Sequence, residues 1–343
     1  MRALVVSLVL VFLCSCMQTR YVVQAGIGQA ELWSLARPIG DVIDDPDTDP
    51  RTRVLLKESQ IIMKFAKERG LARQGNYEQF VDVDRGQVVW FLAAAQPLEL
   101  KAEIWNFPLV GSFPYLGWFD EEEAMQIRKR LKARGLDVYI RPVHAYSTGG
   151  WLDDPILSTM LSPGDDAFRY LSNILLHELT HANLLVNDQA TLNESIANFV
   201  GDTMAEEYLV WRFGETSEEV VIYRDEARQS KERGVRFVKA YGELEILYAS
   251  DKSDTEKLAE KARITTALQY DLDLSWRPSN ASLLGFKVYN TGQDEFRALY
   301  EACGHRWAPF FSVIKGLKAS DFEKEQMEEI DGVIRSLIPK CKS

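Results

Sequence analysis

Ile174-Leu175-Leu176-His177-Glu178-Leu179-Thr180-His181-Ala182 carries an HExxH pattern inside an apolar run. Leu171, Ile174, Leu175, Leu179 and Ala182 recur at three- and four-residue intervals, which predicts a helix from about Phe168 to Val186. Residues at i and i+4 share a helix face. His177 and His181 can therefore present two neutral imidazoles to one zinc ion. Glu178 follows about 100° round the axis, where its carboxylate can take a proton from water held at that metal. With 4 His in 343 residues, chance supplies the pattern in under about 1% of such chains, so coincidence is the weaker reading.

Hydrolytic zinc takes three protein ligands and leaves one position open. Thr191-Leu192-Asn193-Glu194-Ser195-Ile196-Ala197-Asn198 offers the third, Glu194, with twelve residues between it and His181. Asn187-Asp188 marks a turn. A second helix is predicted from about Leu192 to Trp211, with Thr191 as its N-cap. The helix pair can aim Glu194 back at the histidines, and Ala197 and Gly201 leave room for close packing. The competing reading of Glu194 is a solvated carboxylate favoured by the helix dipole. Asn198, four residues on, shares the face of Glu194 and could accept the free ring N–H of a zinc histidine.

HExxH followed by Asn-Glu-x-x-Ala-Asn resembles the gluzincin peptidases, the thermolysin-like class, whose third ligand is a glutamate on a following helix. The spacing is shorter than thermolysin's, so the chain is not of that family itself. The resemblance implies a small sheet whose edge strand lies beside the metal and accepts an extended peptide. The fold expected is α+β, predominantly α-helical, with a small sheet in the N-terminal half whose edge strand precedes the HExxH helix.

The chain begins with Arg2 and an apolar segment, Ala3 to Leu13, of signal-peptide length and too short to span a bilayer. It ends in Leu13-Cys14-Ser15-Cys16, which resembles a bacterial lipobox and makes Cys16 the lipidated first residue of the mature chain. An ordinary signal peptide with two incidental cysteines is the alternative. Several acyl chains on one cysteine suffice for stable anchoring. Met17 is not the aspartate that retains lipoproteins in the inner membrane, so the outer membrane of a Gram-negative envelope, periplasmic side, is the expected location. A net charge of −11 argues against nucleic acid as a partner. Cys303 and Cys341 could pair or be unrelated thiols.

After signal peptide 1–15, residues 16–343 read as one elaborated domain: a sheet-containing part at about 79–155, the zinc helix pair at about 165–212, and a helical part over 216–343. Residues 24–43 and 51–70 read as helices split by Asp44-Asp45-Pro46-Asp47-Thr48-Asp49-Pro50. Residues 79–105 alternate as strands, Asn106 to Trp118 reads as an irregular loop, Asp120 to Arg134 as a helix, and Asp137 to Pro142 as a strand. Tyr146-Ser147-Thr148-Gly149-Gly150 could line the cleft or simply turn the chain.

Colinear blocks give a closer resemblance over nearly all of the mature chain. They are the lipobox; Gly28, Gln29, Leu32, Trp33, Arg37, Pro38 and Ile39; Trp105 with Phe107-Pro108-Leu109-Val110-Gly111; Pro114-Tyr115-x-Gly117-x-Phe119; Ala145-Tyr146-Ser147-Thr148 with Gly150-Trp151 and Asp154-Pro155; the HExxH and Asn193-Glu194-Ser195; and Asn280-Ala281-x-Leu283 with Tyr289. In these the chain resembles the aminopeptidase lipoproteins of bacteria, a zinc-metallopeptidase-like family. Two departures stand out: the family commonly has a larger apolar residue at Gly149 and an arginine at Ser282.

The resemblance implies one zinc on His177, His181 and Glu194, Glu178 as general base, and peptide substrates. A tyrosine or histidine from a later segment should stabilise the oxyanion. Tyr289, in a shared block, is preferred over His305, Tyr248 and Tyr270, with a packing tyrosine as the alternative. His144 reads as an ordinary, partly buried histidine. An aminopeptidase also needs carboxylates for the substrate ammonium; Asp153, Asp154 and Glu207 are candidates that no motif selects. Two rival functions remain: a zinc endopeptidase of the envelope, and a catalytically idle lipoprotein that binds or assembles partners.

Overall fold

The computed structural model describes residues 17–72, 75–107 and 111–341. The predicted signal peptide, Cys16 and the block Pro108-Leu109-Val110 lie outside the described residues. The chain opens with α1 (Met17–Leu35), β1 (Arg37–Pro38), α2 (Ile39–Asp44) and α3 (Pro50–Glu68). The helix expected over 24–43 is thus broken. Pro38 cannot supply the i−4 hydrogen bond and disfavours helical Arg37, and both residues pair with Gln79 and Phe80. Asp49 caps α3 through Thr52 N at 2.9 Å, with Pro50 in its first turn.

Next come β2 (Gln79–Val81), β3 (Val89–Ala95), β4 (Trp105–Phe107), β5 (Gly111–Phe113), β6 (Tyr115–Trp118), α4 (Glu121–Ala133), β7 (Asp137–Val143) and β8 (Ile156–Leu157). The segment expected as an irregular loop over 106–118 is therefore largely strand. Trp105 pairs with Phe113 across β4–β5, and Tyr115 to Trp118 add to β3. β6, β3 and β7 form an antiparallel sheet in that order, so β7 is an edge.

Strand alternation sorts this sheet into two faces. Leu92 and Ala94 of β3 join Leu116, Trp118, Val138 and Ile140 against Ala124, Ile127 and Leu131 of α4. Phe91, Ala93 and Ala95 join Tyr115, Tyr139 and Val143 on the other face, against Ala281 and Leu284. These last two lie on α9 (Asn280–Asn290), which follows α5 (Ala167–Asn183), α6 (Ala190–Phe213), α7 (Glu218–Ala249) and α8 (Asp254–Asp271). The chain ends in α10 (Gln293–Ala302), α11 (Trp307–Ile314) and α12 (Asp331–Cys341). The result is α-rich with small sheets.

The main core joins α3, α5, α6 and α10–α12 through Leu56, Phe65, Leu175, Leu179, Phe199, Phe296, Phe310 and Ile334. α5 and α6 are the most extensively packed pair. Asn280 fixes the start of α9. Its Nδ2 donates to Gln96 O at 2.8 Å, its Oδ1 accepts from Tyr248 at 2.8 Å, and its N–H donates to Asp137 Oδ2 at 2.9 Å. Ser282 completes the capping box of that helix with Ser279. Cys303 and Cys341 are joined as a disulfide with Cα atoms 4.8 Å apart. Among the described residues no helix is long and apolar enough to cross a membrane.

Candidate metal centre

His177, Glu178 and His181 lie on α5 and Glu194 one turn into α6. The connection between them is held by Asn193, whose Oδ1 accepts from Val186 N at 2.9 Å and whose Nδ2 donates to Val186 O at 2.8 Å. Asp188 takes a left-handed conformation there, φ 58°, which Asp tolerates better than most residues. α6 starts at Ala190 with Gln189 at the cap. Thr191 is buried inside the helix instead of capping it. The sequence led to Thr191 because it is the usual capping type; Gln189 is instead fixed by the C-terminal segment, donating to Lys324 O at 2.9 Å. Gly201 permits the close approach of the two helices: a Cβ there would lie 3.2 Å from His177 Cβ and 3.3 Å from Asn173 O.

His177 Nε2 and His181 Nε2 are 3.2 Å apart. Glu194 Oε2 lies 3.7 Å from the first and 3.5 Å from the second. Atoms bound to one tetrahedral ion at about 2.0–2.1 Å stand about 3.3 Å apart, close to all three separations. Two imidazole nitrogens and a carboxylate oxygen that converge in this way repel unless a proton or cation lies between them. Among the described residues this is the one His/Cys/Asp/Glu group that could hold a metal ion.

Electrostatics follow from the burial. Burial opposes a charged His181, but the carboxylate and hydrogen bond of Glu194 outweigh it and raise the imidazole to about 9. Burial likewise opposes the charge on Glu194, yet the two histidines hold it well below the usual carboxylate range. Glu178 is pushed up by burial, with the histidines opposing. Tyr115, on β6, donates to Glu194 Oε1 at 2.5 Å. Burial and then the charge of Glu194 push its phenol well above the ordinary value. Tyr289 is raised by the same two causes in the same order, with Arg141 opposing. Both phenols therefore stay protonated donors at neutral pH.

The triad opens onto a cavity of about 500 Å³. His177, Glu178, His181, Glu194, Tyr115 and Tyr289 all line it, as do Tyr146, Ser147, Thr148 and Gly149. Gly150 is not in the wall; the turn at Gly149 and Gly150, φ 62° and 79°, presents Trp151 instead. Asp154 tethers this segment, accepting from Ser147 Oγ at 3.0 Å and Thr148 N at 3.0 Å.

Several candidates lie elsewhere. Asn198 does not serve the histidines: its Nδ2 donates to Tyr289 O at 2.7 Å, and Ser195 Oγ holds Val288 O at 2.8 Å. It shares the helical face of Glu194, but the end of α9 packs against that face. The carboxyl of Asp202, which sequence reasoning did not select, also interacts with His177. Burial raises it, while Asn173 and His177 lower it. Of the candidate oxyanion partners only Tyr289 lines the cavity. Tyr248 bonds Asn280, Tyr270 is 80% exposed, and exposed His305 packs on Tyr300. His144 is exposed rather than partly buried, bonded to Gly86 O at 2.9 Å. None of Asp153, Asp154 and Glu207 lines the cavity. Glu207 accepts from Tyr300 and Trp307, each at 2.8 Å. Tyr115 and Asp188, which sequence reasoning did not select, do line it. Tyr115 lay in plain view in the Pro114-Tyr115-x-Gly117 block.

A helix pair that converges two histidines and a glutamate, with a second glutamate beside them in a cleft, defines a candidate metallohydrolase centre. Residues 20–328 match the model of the family described as "Putative aminopeptidase", and the chain belongs to that family. No curated protein and no solved structure matches it.

Proposed function

We propose that this chain is a zinc metallopeptidase of gluzincin-like fold, acting as an aminopeptidase and anchored to the bacterial envelope through lipid on Cys16. The observation that carries the catalytic part is the convergence of His177, His181 and Glu194 in one cavity with Glu178. A zinc ion on those three residues would supply a Lewis acid for the scissile carbonyl and make a water acidic enough to lose its proton near neutral pH.

The protein's own groups do the rest. Glu178 accepts that proton, its basicity raised by burial toward the working pH. It then returns the proton to the leaving amine. Tyr289 donates a hydrogen bond to the developing oxyanion. Tyr115 holds Glu194 at its Oε1 and so orients it. Asp188 is the remaining carboxylate in the cavity wall. It is steadied by Ser112 N and Oγ at 2.6 and 2.8 Å, and receives the substrate ammonium. A binding or assembly factor would have no use for a base such as Glu178 at this position.

The test is elemental analysis of the purified protein combined with aminoacyl and internally quenched peptide substrates. One zinc per chain and release of N-terminal residues are expected. Cleavage of internal bonds alone would convert the reading to an endopeptidase. Cys16→Ala should abolish labelled-palmitate incorporation; unchanged labelling would remove the anchor.

A further inference from the structure

Arg141 is a cation in the wall of the candidate site that the catalytic scheme does not use. It lies on β7 directly opposite Phe91 of β3. Its guanidinium carbon stands 4.9 Å from the centre of the Phe91 ring. That cation–π contact holds the side chain against the sheet without neutralising it. Among the described residues Arg141 makes no ion pair. Its hydrogen bond is a long one, 3.5 Å, to the adjacent carbonyl of Pro142. Yet it lines the same cavity as His177, Glu178, Glu194 and Tyr289, and its charge is felt at the Tyr289 phenol, opposing the rise caused by burial and Glu194. It also borders a groove along the free edge of β7 whose walls carry Arg128, Lys132 and Arg277. In a chain of net charge −11, a half-buried guanidinium with most of its donors unspent can receive an anion. A guanidinium fork matches a carboxylate with two parallel hydrogen bonds.

The anion that every peptide with an unblocked C-terminus carries is its terminal carboxylate. A cavity of about 500 Å³ has room for a few residues of extended chain. We propose that Arg141 binds the C-terminal carboxylate of short peptides whose scissile bond lies at His177, His181 and Glu194, so that the preferred substrates are oligopeptides of two to four residues with a free C-terminus. This rests on the peptidase reading for the reaction but not for the binding.

The test separates the two. Tri-alanine, tri-alanine amide and an amidated tripeptide with aspartate in its third position are titrated calorimetrically into Glu178→Gln protein. The free acid should bind about 10- to 100-fold more tightly than the amide, as expected for charge-assisted hydrogen bonds, and Arg141→Met in the same background should abolish the difference. Equal affinities for acid and amide, no binding of either, a preference that survives Arg141→Met, or tight binding of the aspartyl amide alone would each overturn the proposal. The same preference in kcat/KM of the unsubstituted enzyme supports both readings. A preference in binding without hydrolysis of any peptide supports the Arg141 site and removes the peptidase.

Discussion

Tyr115→Phe isolates one hydrogen bond at the metal triad. The phenylalanine keeps the ring, which packs 5.0 Å from the centre of Phe91 and belongs to the cluster between sheet and α9. Only the hydroxyl that donates to Glu194 Oε1 at 2.5 Å is lost. Glu194 is buried, so water does not readily replace that donor. A hydrogen bond to a charged group contributes about 1.5–3 kcal/mol, which is about 10- to 100-fold in the affinity of an ion held by that carboxylate, the range typical for groups that orient a metal ligand. The phenol is held above its ordinary value by burial and then by Glu194. It remains a donor throughout the neutral range, so the deficit should be the same at pH 6.5 and 8.5. The assay is zinc affinity by competition with a chelator, with thermal unfolding of the stripped proteins as the check on folding. An unchanged zinc affinity in a folded variant would refute the view that Tyr115 positions Glu194.

Two further outcomes follow from the geometry. Gly201→Val should weaken zinc binding by about fivefold or more and lower the unfolding temperature, because overpacking costs about 1–3 kcal/mol and the Cβ alone already lies 3.2 Å from His177 Cβ; wild-type affinity would show that the helix spacing does not set the site. In metal-stripped protein His181 titrates near 9 against an ordinary 6.5, so its stabilisation is complete below about 6.5 and is lost as pH rises through 9. Glu194, held below its ordinary 4.5, contributes above that value and loses its effect on acidification. The unfolding temperature of the stripped protein should therefore fall between pH 7 and 9.5; a flat or rising profile would contradict the His181–Glu194 pairing.

The helix pair that carries His177, His181 and Glu194 was legible because its apolar spacing, the HExxH and the Asn-Asp turn all agree within one short stretch. The strand over 137–143 was legible from its run of strand-favouring residues, Val138-Tyr139-Ile140. Residues 106–118 were not. Their strands are three or four residues long and interrupted by Gly and Pro, and β6 is held by pairing with β3, about two dozen residues earlier. Local composition cannot report such a partner, and with it went Tyr115. Asn198 failed for a related reason. A helical face can be read from spacing, but which neighbour covers that face cannot, and here the end of α9 does. Asp153, Asp154 and Glu207 were chosen by charge alone, and none of the three lines the cavity.

The most direct test is a paired measurement on Glu178→Gln: zinc per chain and the rate of peptide hydrolysis, each beside the unsubstituted protein. Glutamine preserves size and polarity but cannot take a proton, and Glu178 is not one of the three converging ligands. One zinc per chain, with hydrolysis reduced by about 10²- to 10⁴-fold or more, is the predicted result. Full activity with zinc retained would contradict the assignment of the base, and loss of zinc would make Glu178 part of the coordination it is proposed to serve.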